Sequence, residues 1–144
     1  MRSIFVLTFI SIFTIYIGCK QGERLSSPEH YILKKSHTER TKVDSPADFR
    51  VEIIPTDGFK MEVEAPIKLI FKKEMNPDIE FEKEIYTKDD LINKDIKRPI
   101  FNGRFIPKKE GIYNIKGELS FVVCTSTICE PKKVDVEFKL SAGK

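Results

Sequence analysis

The chain is poor in the residues that most enzymes use for nucleophilic and metal chemistry. Its 144 residues include no tryptophan, two histidines and three cysteines. A cysteine–histidine nucleophile pair needs a histidine in the fold, and none follows His37. A closed structural zinc site needs four nitrogen or sulfur ligands, and only two cysteines, Cys124 and Cys129, lie in the C-terminal part of the chain. We therefore expect no hydrolase chemistry, no resident metal and no cofactor.

Clusters of one charge are also lacking. The 25 Lys and Arg residues are interspersed with the 22 Asp and Glu residues, which leaves a net charge of +3. A nucleic-acid-binding surface requires clustered basic residues, so we expect no nucleic-acid partner. The length suits one globular domain rather than two.

Long apolar runs are absent except near the N-terminus. Residues 4–17 follow Arg2 and are apolar apart from three Ser and Thr residues. This stretch is shorter than the ~20 apolar residues that span a bilayer. A short basic start, an apolar segment and a small residue at its end predict a secretory signal peptide over residues 1–18.

The end of this segment, Ile17-Gly18-Cys19, resembles the lipobox of bacterial lipoproteins, although Tyr16 replaces the usual leucine. The resemblance implies that Cys19 is lipidated, becomes the first residue of the mature protein and anchors it to a membrane. The alternative is an ordinary signal peptide that leaves Cys19 as an unpaired thiol. Lys20, in place of an acidic residue, favours the outer membrane, with a domain that faces the periplasm or the cell surface.

Residues 19–47 are predicted to comprise the lipidated cysteine and a flexible tether, because they are polar and have no hydrophobic period. Tyr31, Ile32 and Leu33 are their only apolar cluster. Both histidines, His30 and His37, fall in this segment, and we expect them to be exposed and solvated.

A different pattern begins at residue 48, where short alternating segments are separated by Pro, Gly, Asn and Asp. The two longest cover residues 112–124 and 134–140. They predict a hairpin with one buried face and a connecting loop of about eight residues. About seven such strands without a long helix predict an all-β domain over residues 48–144. Its expected architecture is an immunoglobulin-like antiparallel β-sandwich.

Two shorter signals lie between these segments. Asn102-Gly103 predicts either a tight hairpin or a bulge. Thr87, followed three residues later by Asp90, matches a helix-capping pattern. Residues 87–97 are therefore expected to contain either one helical turn or a loop.

Cys124 ends the longer alternating segment, and Cys129 follows after four intervening residues. Alternation predicts that the Cys124 side chain points outward. A loop that folds back can bring the two Cα atoms within the roughly 4.4–6.8 Å that a disulfide requires. The bond could be a structural staple or a redox-active pair, and both remain open. A six-residue ring stabilises by only about 2.2 kcal/mol in the entropy model, against about 4.7 for a hundred-residue loop.

Several motifs resemble the N-terminal domain of the thiol:disulfide interchange protein DsbD and stand-alone bacterial domains similar to it. The resemblance covers about residues 48–141. Its motifs are Asp57-Gly58-Phe59-Lys60, Glu64-Ala65-Pro66, Gly111-Ile112-Tyr113, Gly117-Glu118-Leu119-Ser120-Phe121, Cys124 and Cys129-Glu130-Pro131-Lys132-Lys133.

This resemblance implies an immunoglobulin-like fold in the periplasm. It also implies that Cys124 and Cys129 receive reducing equivalents from a thioredoxin-like or membrane thiol reductase and pass them to exported protein substrates. In the family an aromatic cap loop shields the disulfide, and Tyr86 would take that place here. Four residues separate the cysteines where DsbD has five, and the chain has no electron conduit of its own. The alternative is a binding or structural lipoprotein with an inert disulfide.

Overall fold

The computed structural model describes residues 30–62, 64–93 and 97–144. Most of these residues lie in β-strands, and their only helical structure is two single 3-10 turns, Lys73–Met75 and Lys88–Asp90. No helix within these ranges has the length and apolar character needed to cross a bilayer. The strands, in chain order, are β1 Tyr31–His37, β2 Arg40–Lys42, β3 Ala47–Pro55, β4 Lys60–Met61, β5 Lys68–Phe71, β6 Ile79–Phe81, β7 Ile85–Thr87, β8 Ile100–Pro107, β9 Gly111–Cys124 and β10 Cys129–Gly143.

The strands form two packed sheets. One sheet has the order β1-β3-β8-β6, and the other has the order β2-β10-β9-β5-β7 with β4 paired to the end of β9. The strand pairings are antiparallel except for β10 with β2, which is parallel. The prediction of an all-β, immunoglobulin-like sandwich is confirmed.

The β9–β10 hairpin is the longest feature of the fold. Its register pairs Ala142 with Gly111 at one end and Cys129 with Cys124 at the other. Alternate residues are buried from Ile115 to Val123 in β9 and from Val136 to Ala142 in β10, as the period of two predicts. The predicted hairpin is confirmed, and it forms the middle of the second sheet.

Phenylalanine dominates the core between the sheets. The Phe49 ring packs against the rings of Phe71, Phe105 and Phe138, with centroids 5.1, 4.7 and 5.5 Å apart. Burial of each such side chain stabilises the fold by roughly 1.5–3 kcal/mol. Among the described residues, six phenylalanines are buried: Phe49, Phe71, Phe101, Phe105, Phe121 and Phe138.

The prediction that residues 19–47 form a tether is wrong for the part that the structure describes. β1 pairs antiparallel with β3, and β2 adds to the C-terminal end of β10. Tyr31 is buried and its ring meets Phe121 edge-on at 4.9 Å. β1 lies at the edge of its sheet and buries only Tyr31 fully, so it carries only a weak hydrophobic pattern. The signal peptide, Cys19 and the rest of the predicted tether lie outside the described residues.

Asn102-Gly103 is neither a turn nor a bulge, because both residues lie inside β8 and pair with β3. Gly103 has a packing role instead. A Cβ atom there would lie 2.1 Å from the Tyr86 hydroxyl and 2.6 Å from the Phe49 ring. Glycine in a strand interior often marks such a close approach.

The capping pattern at Thr87 is confirmed. The Thr87 backbone N–H donates to a carboxylate oxygen of Asp90 at 2.8 Å, and the Thr87 hydroxyl lies 3.3 Å from the same oxygen. These contacts form a reciprocal capping box around the 3-10 turn Lys88–Asp90. The helical alternative was therefore correct for the start of this segment.

Candidate functional site

Cys124 and Cys129 are joined by a disulfide across the end of the β9–β10 hairpin. The two residues are directly opposed in the register, with an S–S distance of 2.02 Å and a Cα–Cα distance of 4.0 Å. This Cα separation is slightly shorter than expected from the sequence and fits the closer class of antiparallel pair. The predicted bond is present, and it lies at the rim of the second sheet.

A tight four-residue turn connects the two cysteines, instead of the predicted loop of about eight residues. The backbone N–H of Thr125 donates to the Ile128 carbonyl at 2.8 Å. The Thr125 hydroxyl oxygen accepts from the backbone N–H groups of Thr127 and Ile128 at 3.3 and 3.0 Å. Hydroxyl side chains commonly stabilise turns in this way. Pairing therefore extends to the cysteines themselves, and Ile128 is left exposed beside Cys129.

The two sulfur-bearing residues differ sharply in exposure. Cys129 is exposed, whereas only 1% of Cys124 is accessible. Alternation predicts an outward-pointing Cys124 side chain, but this position is closed to solvent. β4 pairs with the end of β9 and places Lys60 opposite Cys124, and Glu62, which follows β4, lies against the Cys124 sulfur. Alternation within β9 could not reveal that coverage, because β4 comes from a distant part of the sequence.

Glu62 follows β4 and brings a carboxylate to the disulfide. One oxygen, Oε2, lies 3.5 Å from Cys124 Sγ. The other, Oε1, accepts a hydrogen bond from the Glu64 backbone N–H at 3.2 Å, and the Glu62 backbone N–H donates to the Val122 carbonyl at 3.0 Å. These bonds fix the carboxylate against the sulfur. Its negative charge opposes the development of charge on Cys124 when the disulfide opens.

A second cluster lies beside Cys129. The His30 ring stacks on Phe59 with centroids 4.0 Å apart, and its Nδ1 lies 2.9 Å from an oxygen of Glu130. Lys132 donates to the same oxygen at 2.7 Å. The prediction that the histidines are simply solvated is wrong. His30 is half-buried in this cluster, and the His37 ring meets Phe138 edge-on at 5.3 Å.

The hydrogen bond from Lys132 holds the pKa of Glu130 below its usual value, and the contact with His30 also lowers it. Partial desolvation raises this pKa but does not outweigh the two contacts. Glu130 therefore stays ionised next to Cys129. Its negative charge is compensated by the Lys132 ammonium and by the hydrogen bond with the His30 ring. The cluster joins the start of β1 to the hairpin that carries the disulfide.

Tyr86 does not cap the disulfide. It lies in β7 opposite Leu69, which is itself opposite Leu119 of β9. Leu119 precedes Cys124 by five residues, which is roughly 17 Å along a strand. Tyr86 is 4% exposed and packs against Phe49 and Phe71, so this aromatic belongs to the core.

Sequence reasoning identified both sulfurs and missed the groups around them. Glu62 reaches Cys124 because β4 pairs with β9. His30, which stacks on Phe59, reaches Glu130 beside Cys129 across 100 residues of sequence. Thr125, with its hydroxyl in the turn, carried the one local signal that could have been found. Within the described ranges, Glu62, Cys124 and Cys129 also form a group whose ligand atoms all lie within 4.8 Å of one another. In the disulfide form the two bonded sulfurs are not available as thiolate ligands.

Comparisons with known proteins give a weak structural similarity and no family. No family model matches the chain, and no curated protein matches it. Among solved structures, it is similar to AggA, the major subunit of aggregative adherence fimbriae type I from Escherichia coli. The two share 11% identity with a TM-score of 0.41, over 78% of this chain and 95% of AggA. A similarity of this degree carries no argument about function.

Proposed function

We propose that the chain is an exported, lipid-anchored domain that exchanges thiols and disulfides with other exported proteins through Cys124 and Cys129. The observation that carries this proposal is the unequal exposure of the bonded pair, with Cys129 open to a partner and Cys124 covered. Thiol exchange requires one accessible sulfur and one that is retained as the leaving group. The pair at the rim of the sandwich meets both requirements.

Exchange begins when a thiolate of a partner attacks Cys129 Sγ. The Cys124–Cys129 bond breaks, the Cys124 sulfur takes the bonding pair and is protonated, and the partner is joined to Cys129 in a mixed disulfide. The partner's second thiolate then attacks the partner's first sulfur, which is bonded to Cys129. A disulfide forms within the partner, and Cys129 leaves as a thiolate. The partner dithiol has been oxidised and the domain reduced. The reverse sequence reduces a disulfide of an exported substrate.

The surroundings of Cys129 suit a protein partner. Cys129 and its neighbour Ile128 are both exposed, so a partner can approach this side of the bond. Because the chain contains a single cysteine pair in this domain, a separate thioredoxin-like or membrane thiol reductase must supply the electrons. This requirement agrees with the resemblance to the DsbD N-terminal domain.

Export and lipidation form the second half of the proposal. The N-terminal pattern supports a signal peptide over residues 1–18, cut before Cys19, and a stable disulfide fits an oxidising compartment. Cys19→Ala should release the protein from membranes into the soluble fraction after cell fractionation. Continued membrane association of this variant would contradict lipid anchoring.

The alternative function is a non-catalytic binding or structural lipoprotein with an inert disulfide. The Glu62 carboxylate, 3.5 Å from Cys124 Sγ, favours this alternative, because its negative charge disfavours the Cys124 thiolate that exchange must release. The two functions differ in the reduction potential of the pair. A value below about −300 mV marks a resistant structural disulfide and would remove the exchange function. A value near those of thioredoxin-like carriers would support it.

A trapping experiment tests the mechanism directly. Cys124→Ser leaves the exposed Cys129 thiol, which should capture exported proteins as mixed disulfides that cannot resolve. Cys129→Ser leaves only the covered Cys124 thiol and should capture far less, on the order of tenfold, since reactivity follows exposure and thiolate character. Equal capture by both variants would contradict the assigned roles. Capture by neither would remove support for exchange.

A further inference from the structure

We propose that reduction of the disulfide opens a binding site for a thiophilic divalent cation, with Zn²⁺ as the expected ion. The ligands would be Cys124 Sγ, Cys129 Sγ and a carboxylate oxygen of Glu62. These three ligand atoms already lie within 4.8 Å of one another. The site differs from the closed four-ligand zinc site that the sequence excludes, because it has three protein ligands, one of them a glutamate, and an open fourth position.

The chemistry requires a reductant and releases protons. A dithiol donor gives two electrons and two protons to the disulfide, which becomes two thiols while the donor becomes a disulfide. The cation then replaces the two thiol protons, which pass to solvent. In the oxidised protein the sulfurs are bonded to each other and cannot act as thiolate ligands. Metal binding at this site therefore depends on the redox state of the pair.

The backbone geometry suits a shared ion. In a tetrahedral site with Zn–S distances of about 2.3 Å, two sulfurs lie roughly 3.8 Å apart. The Cβ atoms of a disulfide are separated by about the same distance. Cys124 and Cys129 are directly opposed, with Cα atoms 4.0 Å apart. Rotation of the two side chains about χ1 can thus place both sulfurs around one ion without moving the strands.

Glu62 is held where a third ligand is needed. Its Oε2 is 3.5 Å from Cys124 Sγ, while Oε1 is occupied by the Glu64 backbone N–H. The preceding strand β4 is paired to β9, so the Glu62 carboxylate is already next to the sulfur before an ion binds. Carboxylate oxygens bind zinc at about 2.0–2.2 Å, which a small side-chain movement would achieve.

Access and charge also fit a cation. Cys129 is exposed, so an ion can enter from solvent, and a fourth position stays open for water. Two thiolates and one carboxylate carry three negative charges, which a divalent ion neutralises in large part. Thiolate ligands favour zinc over magnesium or calcium, which prefer oxygen ligands. Bound metal would stabilise the dithiol form relative to the disulfide.

The test uses the full chain in a Cys19→Ser background, so that the third thiol cannot contribute. The protein is reduced with a phosphine, freed of reductant without oxygen, and titrated with Co²⁺ and then with Zn²⁺. We expect thiolate-to-cobalt charge-transfer absorption with one equivalent of Co²⁺, its loss on addition of Zn²⁺, and no such absorption in the oxidised protein. Absence of the charge-transfer band in the reduced protein would overturn the proposal.

Two variants test the third ligand. Glu62→Gln should weaken Zn²⁺ binding by at least about tenfold, as loss of a ligand or its support commonly does. Glu64→Gln is the matched control, because it makes the same charge change two residues away and its side chain is not part of the cluster. Equal Zn²⁺ affinities in the two variants would overturn the assignment of Glu62. Circular dichroism of the oxidised variants verifies that each remains folded.

A second readout does not depend on spectroscopy. Zn²⁺ at 100 times its dissociation constant should shift the dithiol–disulfide equilibrium about 100-fold toward the dithiol. An unchanged equilibrium would contradict binding to the reduced pair. Because a chemical reductant opens the bond, the result is independent of any protein exchange partner. Failure of the trapping experiment and failure of metal binding can therefore be distinguished.

Discussion

The Tyr86 hydroxyl offers a test of the packing between the two sheets. Its oxygen is buried and has no hydrogen-bond partner among the described residues, and it occupies the space left by Gly103. A buried polar group without a partner costs about 1–3 kcal/mol. Tyr86→Phe removes only the oxygen and keeps the ring contacts. We expect it to raise the free energy of unfolding by about 1 kcal/mol at pH 8.

The same hydroxyl predicts a pH dependence. Burial raises the pKa of Tyr86 to about 12 from its usual 10.0. The carboxylates of Glu82 and Asp90 also raise this pKa, and Arg104 lowers it by a smaller amount. A raised pKa means that the folded state binds the proton more tightly. The contribution of protonated Tyr86 to the free energy of unfolding is complete below pH 10. It is lost as the pH rises through the folded-state pKa of this residue. At pH 11 the wild-type loss is about 1.4 kcal/mol by the linkage relation.

Urea unfolding of oxidised protein, with the free thiol blocked, at pH 8 and pH 11 measures both effects. The advantage of Tyr86→Phe over wild type should grow from about 1 to about 2.4 kcal/mol, because phenylalanine does not ionise. Tyr113→Phe is the matched control. Its hydroxyl donates to the Lys109 carbonyl at 2.8 Å, so this change should destabilise by about 1 kcal/mol at pH 8. An advantage of Tyr86→Phe that stays constant with pH would refute the reasoning.

Three further predictions concern stability. Gly103→Ala should lower the free energy of unfolding by about 1–3 kcal/mol through overpacking, and unchanged urea unfolding would contradict the close approach at β8. The hydrogen bond from Arg104 lowers the pKa of Glu82 below its usual 4.5, so this pair stabilises above that pH and its effect is lost on acidification. Arg104→Gln should therefore lose less stability than wild type between pH 6 and pH 3, with a small difference for so exposed a pair. An identical loss in the two proteins would count against this prediction. Thr125→Ala should cost about 1 kcal/mol in urea unfolding by freeing two turn N–H groups, and no cost would show that the turn does not depend on the hydroxyl.

Reduction should leave the domain folded. The disulfide closes only a six-residue ring, for which the entropy model gives about 2.2 kcal/mol, while the core contains six buried phenylalanines. Circular dichroism of the reduced protein should therefore retain the β-sheet spectrum, with a modest fall in the urea midpoint. Unfolding on reduction would mean that the bond is a structural requirement and would weigh against exchange.

The sequence by itself determined the parts of this protein that depend on local order. The alternation in residues 112–124 and 134–140 predicted β9 and β10, because successive side chains of a strand point to opposite faces. The four-residue spacing of Cys124 and Cys129 allowed the disulfide, and Thr87 with Asp90 predicted a capped turn. Each of these signals is contained within a short stretch of chain, so neighbouring residues suffice to read it.

Only the tertiary structure decided what surrounds the disulfide. Glu62 and the cover over Cys124 come from the pairing of β4 with β9, and His30 reaches Glu130 across 100 residues. β1 has too few apolar residues for its sequence alone to predict a strand. The Asn102-Gly103 pattern is typical of a turn, and only the packing of Tyr86 against Gly103 shows why a glycine lies within β8. These features depend on which strands become neighbours. That choice is made by burial of the phenylalanine core as a whole, and no single segment encodes it.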